Sequence, residues 1–270
     1  MLFKPNIFRR HANTILNDLE LVVDQSCYKI TEISFHSYSN NHMDPWVYKR
    51  DGQLNTNNWL LYYRRDEPDQ PMIEMVFGNR DQKKYSGVLI RGIHEINKSG
   101  SGDKIYGPVN VAKKVIDLLG VSSAEAIGQY SGQNLNNPHG KFFIRTKKIS
   151  REPRDLHESP RKNLSWNKKD ADPFRKLRFR MENYRFFTYP ELVYEYDAKK
   201  KDPALLWLSL FLSGASINIV NANSSDFLEE FGRGLSRDMS TTNGIPRYTS
   251  SVYWECRLLG AWYKYQALVK

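Results

Sequence analysis

Residues 28–38 read YKITEISFHSY, and an extended strand points successive side chains to opposite faces. Ile30, Glu32, Ser34, His36 and Tyr38 therefore share one face, and Lys29, Thr31, Ile33, Phe35 and Ser37 the other. The first face is mostly polar, unusual for a core strand, and either solvent or a functional site accounts for it. Further strands are predicted over residues 59–64, 72–77 and 87–94, the last after the turn-like GNRDQKKYSG. Short strands and polar turns at this density predict a curved, mostly antiparallel sheet.

Helical spacing of Ile7, Phe8, Ile15, Leu16, Leu19 and Val22/Val23 predicts an amphipathic helix that opens the chain. Gly107-Pro108 opens a second, carrying Val109, Ala112, Val115 and Leu119 and ended by Gly120. Strand-like FFIRT (142–146) and LRFRM (177–181) follow. From Pro203 the composition shifts to long apolar runs such as ALLWLSLFL and SVYWECRLLGAWYKYQALV, joined by the charged hinge DAKKKD. The expected class is α+β: a curved sheet or partial barrel with packed helices over residues 1–195, and a helical appendage over 196–270.

A chain of 270 residues, 40% of them hydrophobic, can bury a real core. Cys27 and Cys256 lie far apart and outside any CxxC or Cys/His cluster, which argues against a disulfide framework and a structural zinc. Pro5, Arg9, Arg10 and His11 interrupt the first segment, and Ser209, Ser213, Gly214, Ser216 and Asn218 the most apolar window, so neither reads as a signal peptide or membrane span. The expectation is a soluble intracellular protein, in cytoplasm or nucleus/nucleoid, with reduced thiols.

The formal net charge is +10, which disfavours an acidic-carrier role and admits a polyanionic partner. Residues 141–185 hold fifteen Lys/Arg against six acids, nearly the whole surplus, interleaved with Phe142, Phe143, Trp166, Phe174, Phe179, Tyr184, Phe186 and Phe187. Phosphate-neutralising cations beside stacking rings suit nucleic acid, with Lys147, Lys148, Arg161, Lys162, Lys168, Lys169 and Arg178 as contacts. A solvated basic loop between core aromatics fits the composition equally.

Three constellations suit chemistry. Glu32, Ser34, His36, Tyr38, His42 and Asp44 fall within thirteen residues and offer a carboxylate, imidazoles and a phenol for acid/base hydrolysis of a stacked, flat substrate; a solvated edge strand would look the same. Arg91 ends the apolar run GVLIR, and Glu74 stands between apolar neighbours in MIEMVFG; two such charges either pair or serve a site. Gly107 at a helix start offers free N–H groups to a phosphate, although many helices begin this way.

The order ITEISFHSY, GVLIRGI, IYGPVNVAKKVIDLLGV, SPRKNL, LRFRM resembles the alkyladenine (3-methyladenine) DNA glycosylase family. TEISFHSYSNNHMDPW, FGNRDQKKYSGVLIRGI and ENYRFFTYPE resemble more closely an uncharacterised branch of that superfamily. The resemblance covers about residues 28–190 and implies hydrolysis of an N-glycosidic bond of a flipped base in double-stranded DNA, with no metal or organic cofactor. It implies Arg91 and a first-strand Glu around the attacking water. Aligning ITE with the family's IVE puts that Glu at Ser34, leaving Glu32 two residues earlier on the same face, so Glu32 or Glu74 would serve as base. Ser34, His36, Tyr38 and His42 would line the base pocket, and Tyr62 and Tyr63 are the nearest candidates for a wedge. The alternative is a non-catalytic reader of DNA, RNA or modified bases using the same pocket, and the aromatic C-terminal helices are a candidate protein-docking surface.

Overall fold

The computed structural model describes residues 6–64, 67–97, 102–121, 129–147, 154–159, 161, 184–188, 229 and 232–233. The chain divides into two compact units, Met1–Leu156 with Tyr184–Tyr189, and His157–Asn183 with Pro190–Lys270. Residues 157–183, expected within the first domain, group with the second unit, while 184–189 return to the first as a sheet strand. The LRFRM stretch and nearly all of the helical appendage lie outside the described residues. In the second unit, β9 (His157–Ser159) is a short strand, and Glu229 and Arg233 form an i,i+4 ion pair in helical conformation. Among the described residues no helix is long and apolar enough to cross a membrane.

The first unit opens with α1 (Asn6–Asn13) and a π-helical turn (Thr14–Asp18), followed by β1 (Leu19–Val23). The helix expected through residue 23 thus stops early. Leu21, Val22 and Val23 instead become fully paired strand residues between β2 (Ser26–Ser39) and, on the other side, β8 (Phe142–Thr146). Their apolar run satisfies both periodicities, and tertiary pairing decides between them. Asn17 fixes the turn, exchanging hydrogen bonds of 3.1 Å with the Arg154 backbone.

The remaining elements are β3 (His42–Met43), a 3-10 turn (Asp51–Leu54), β4 (Thr56–Arg64), β5 (Glu67–Phe77), β6 (Tyr85–Glu95), β7 (Lys104–Tyr106), α2 (Pro108–Leu119) and β10 (Arg185–Phe187). The main path of the curled antiparallel sheet runs β4-β5-β6-β2-β1-β8, with β10, β3 and β7 pairing onto β2 or β6. The strands predicted over residues 28–38, 59–64, 72–77 and 87–94 and the second helix are present, and FFIRT is β8. Gly120 closes α2 at φ +66°.

The register sorts the side chains into two faces, since directly opposed residues share one. Trp59, Met75, Val88 and Phe35 form one row across β4, β5, β6 and β2, all buried. Ile33, Ile90 and Phe186 extend this apolar face. The two ends of the path are bridged by the segment 131–135. Gly132 N–H donates to the Trp59 carbonyl (2.8 Å), Leu135 N–H to Asn57 (3.0 Å), and Ile144 N–H to Leu135 (2.7 Å). The Trp59 and Phe142 rings stack at 4.0 Å across that seam. Backbone groups at both ends thus find partners that an open sheet edge would lack.

Trp59 is 1% exposed, so replacing it by alanine removes both the seam stack and a large apolar volume. Trp59→Ala is expected to cost about 3–5 kcal/mol in urea unfolding. Ile7→Ala, at a position 49% exposed, should stay within about 0.5 kcal/mol of wild type.

Candidate functional site

The opposite face is different in kind. Leu60, Glu74, Leu89, Ser34 and Arg185 form one row across β4, β5, β6, β2 and β10, and Val76, Gly87 and His36 form the next. Polar and charged side chains therefore line a surface whose backbone is already paired on both sides. The polar face read from residues 30–38 is a buried one, not a solvated edge: Glu32 and Ser34 are 3% and 0% exposed.

At its centre, Glu32 Oε1 accepts the Nε–H of Arg91 at 2.9 Å and the Nε–H of Arg185 at 2.5 Å. The β2–β6 register shifts on either side of Glu32, the mark of a bulge that re-aims a side chain. Gly92 stands opposite; a Cβ there would lie 2.8 Å from Thr31 Oγ1 and 3.1 Å from Glu32 Cβ, so the bulge needs a glycine. Arg185 is itself 1% exposed and lies over the Phe187 ring at 4.9 Å. Two guanidinium groups thus share one carboxylate oxygen. Arg91 gives only its Nε–H; its terminal NH2 groups have no partner among the described residues, and its side chain is 14% exposed. They are placed to hold a water or an anionic oxygen next to Glu32.

Glu74 occupies a separate place on the same face. Gln53 Nε2 donates to its Oε2 and the Tyr62 hydroxyl to its Oε1, each at 2.8 Å. Gln53 is oriented in turn, because its Oε1 accepts the Arg50 backbone N–H at 3.1 Å. Burial raises the Glu74 pKa, opposed by the Gln53 and Tyr62 hydrogen bonds and by the nearby Arg50. Burial, and then the Glu74 charge, push the Tyr62 phenol well above its ordinary value. Gly87 makes room for this carboxyl: a Cβ there would meet Glu74 Oε2 at 2.4 Å. His36 is the cross-strand neighbour of Gly87, and its Nε2 lies 3.2 Å from Ser34 Oγ.

The structure thus brings Glu32, Arg91, Ser34, His36, Tyr38 and Glu74 to one face, with Glu32 and not Glu74 against Arg91. It separates His42, which packs with Phe8 (6.1 Å) and Tyr184 (5.8 Å) in an aromatic cluster that also holds Phe35. Of the wedge candidates, Tyr62 is bound to Glu74 and lies beneath the Arg50 guanidinium at 4.2 Å. The Gly107 N–H donates to the Arg91 carbonyl at 2.8 Å and is not open to a phosphate.

The basic band is largely turned inward where it is described. Lys147 donates to the Leu16 and Asn17 carbonyls, and burial, with Arg154 next to it, lowers its pKa to about 8. Arg145 pairs with Glu20 at 3.3 Å, Arg154 donates to the Leu16 carbonyl, and Arg161, in the second unit, is 2% exposed. Lys148, Lys162, Lys168, Lys169 and Arg178 lie outside the described residues. Arg185 is the cation of that band that reaches Glu32; its signal is the one that marked Arg91 and Glu74, a charge set in an apolar strand. Gln53 and Arg50 carried none.

No family model matches the chain. A protein of Acanthamoeba polyphaga mimivirus described as uncharacterized is 24% identical over 176 residues, 58% of this chain and 78% of that protein. Its description names no activity. Among the described residues no group of three or more His, Cys, Asp or Glu could hold a metal ion.

The raised Glu74 pKa sets a pH dependence. The folded state keeps this proton above the ordinary value of 4.5, so the unfolded state binds fewer protons in that window and stability falls as pH rises through it. The contribution is fully present below 4.5 and is lost by the raised value. Glu74→Gln should flatten the decline, whose slope is at most about 1.4 kcal/mol per pH unit. Urea unfolding of both proteins from pH 4.5 upward measures it.

Proposed function

We propose that this protein binds nucleic acid and hydrolyses the N-glycosidic bond of a damaged or modified base turned out of a DNA duplex. The observation that carries the reading is the 2.9 Å contact of Arg91 with Glu32, which stands on the same face two residues before the position, Ser34, that the glycosylase resemblance gives to its Glu. Water held between the Arg91 NH2 groups and Glu32 would add its oxygen to the anomeric carbon as the base leaves with the bonding electrons. The water's second proton goes first to Glu32, and the departing base ends protonated. The Glu32 charge also stabilises the positive, oxocarbenium-like sugar, a role that asks for little proton affinity. Ser34 and His36 continue the same face next to Glu32 and supply polar groups for the extruded base, while Tyr38, six residues along the strand, lies beyond its reach.

Arg185 favours a second reading. A carboxylate already held by two guanidinium groups is a weak proton acceptor, which suits a non-catalytic reader of modified bases.

Duplexes carrying single alkylated, deaminated or oxidised bases separate the two, with alkali-labile abasic sites and binding measured on the same oligonucleotides. Wild type should form abasic sites on at least one of them. Glu32→Gln should lower the rate by about 100-fold or more with binding changed only a few-fold. Arg91→Lys, which retains the charge but loses the planar fork, tests the site where Glu32→Gln unfolds the chain. Base-selective binding without any abasic product selects the reader, and absence of all oligonucleotide binding removes both.

A further inference from the structure

The geometry points to a second nucleic-acid contact at the far end of β2, a stacking platform built from Tyr48, Lys49 and Arg50 against Tyr38, Tyr85 and Tyr62. It rests on the reading above that nucleic acid is the ligand, and it names where the strand beside the extruded base would run.

The loop between β3 and the 3-10 turn is anchored by Val47, 6% exposed, and projects Tyr48, 50% exposed, together with Lys49. The Lys49 ammonium lies 3.4 Å from the centre of the Tyr38 ring, and Tyr38 meets Tyr85 edge-on at 6.4 Å. Arg50 sits between two rings, 5.5 Å from Tyr48 and 4.2 Å from Tyr62. Ring and cation thus alternate across the rim. Neither Lys49 nor Arg50 has an ion-pair partner among the described residues, unlike the described arginines of the basic band such as Arg145. Lys49 holds a left-handed backbone at φ +52°, a conformation that costs energy and that turns its side chain back over Tyr38. Lys83 and Lys84 are exposed in the turn that leads into Tyr85, and Met43, 39% exposed, stands opposite Tyr38.

An exposed ring backed by a guanidinium, itself held by the Tyr63 carbonyl at 3.1 Å, suits a nucleobase face, and the Lys49 ammonium at its edge suits a phosphate. Tyr38 shares the face of Glu32 and lies six residues along the same strand, about 20 Å away at the rise of a β-strand. That separation excludes the platform as the reaction pocket and places it under flanking, unpaired nucleotides. Stacking is indifferent to which base it receives, so the platform adds affinity for single-stranded character and little sequence preference.

The test uses the full chain and fluorescence anisotropy with a labelled single-stranded oligothymidylate and a duplex of equal length, between about 50 and 200 mM salt. Tyr48→Ala is expected to weaken single-strand binding roughly tenfold, and Tyr48→Phe to restore it to within about twofold. Lys49→Gln should lower the slope of log K against log salt by about 0.7. Both side chains are exposed, and circular dichroism confirms that the variants fold. If wild type binds oligonucleotides and Tyr48→Ala binds as tightly, the platform is overturned while the Glu32–Arg91 reading stands. If wild type binds neither probe, both fall. Tyr48-dependent binding to phosphatidylserine vesicles without oligonucleotide binding also overturns it, in favour of a lipid surface.

Discussion

The Glu32 carboxylate between two arginines is the constraint on which this sheet turns. Arg91 comes from β6 and Arg185 from β10, so one buried oxygen ties three strands that are adjacent in space and far apart in sequence. β10 is three residues long, a ladder too short to hold itself. The second cation, 1% exposed, gives it a fixed register, because sliding by one residue would send Arg185 to the apolar face of Phe35 and Ile33. Buried ion pairs of this sort are weak devices for stability, yet removing one partner strands a charge at a cost of about 3–5 kcal/mol. What they supply here is position.

The two carboxylates on the polar face show how surroundings separate like groups. Glu32 meets full positive charges at hydrogen-bond distance. Glu74 meets an amide and a phenol, with Arg50 further away, and burial outweighs them and raises its pKa. One carboxylate is therefore held among positive charges, and the other favours a proton. The row from Glu74 through Leu89 to Ser34 joins them on one face, with Leu89 as an apolar spacer.

The sheet was legible in the sequence because period-two alternation and turn chemistry are local. β2, β4, β5, β6, β8 and α2 appear where those signals put them, and Gly120 ends α2 as expected. β1 was missed because LELVV satisfies a helical and an extended pattern equally, and pairing with β2 and β8 settles it. The polar face was legible, and so was the odd placement of Glu74 and Arg91. The pairing of Arg91 with Glu32 depended on a bulge that no local pattern encodes. His42 was misgrouped because nearness in sequence was read as nearness in the site; the β2–β3 hairpin carries it to the aromatic cluster instead.

The charge bears on this last point. A run of cations in the sequence says where positive side chains begin, and long side chains end elsewhere. Arg145, Lys147, Arg154 and Arg185 all end on internal carboxylates or carbonyls of the first unit, so each is consumed in holding the sheet and its opening turn together. A phosphate arriving from solvent would have to displace partners already in place, some of them buried, and would lose that exchange to desolvation. Lys49, in a stretch of no unusual charge density, makes no such commitment among the described residues, and Arg50 gives one NH2 group to the Tyr63 carbonyl at 3.1 Å. The cations able to meet a polyanion are therefore set by which lysines and arginines the fold leaves uncommitted, and a net charge of +10 does not map them.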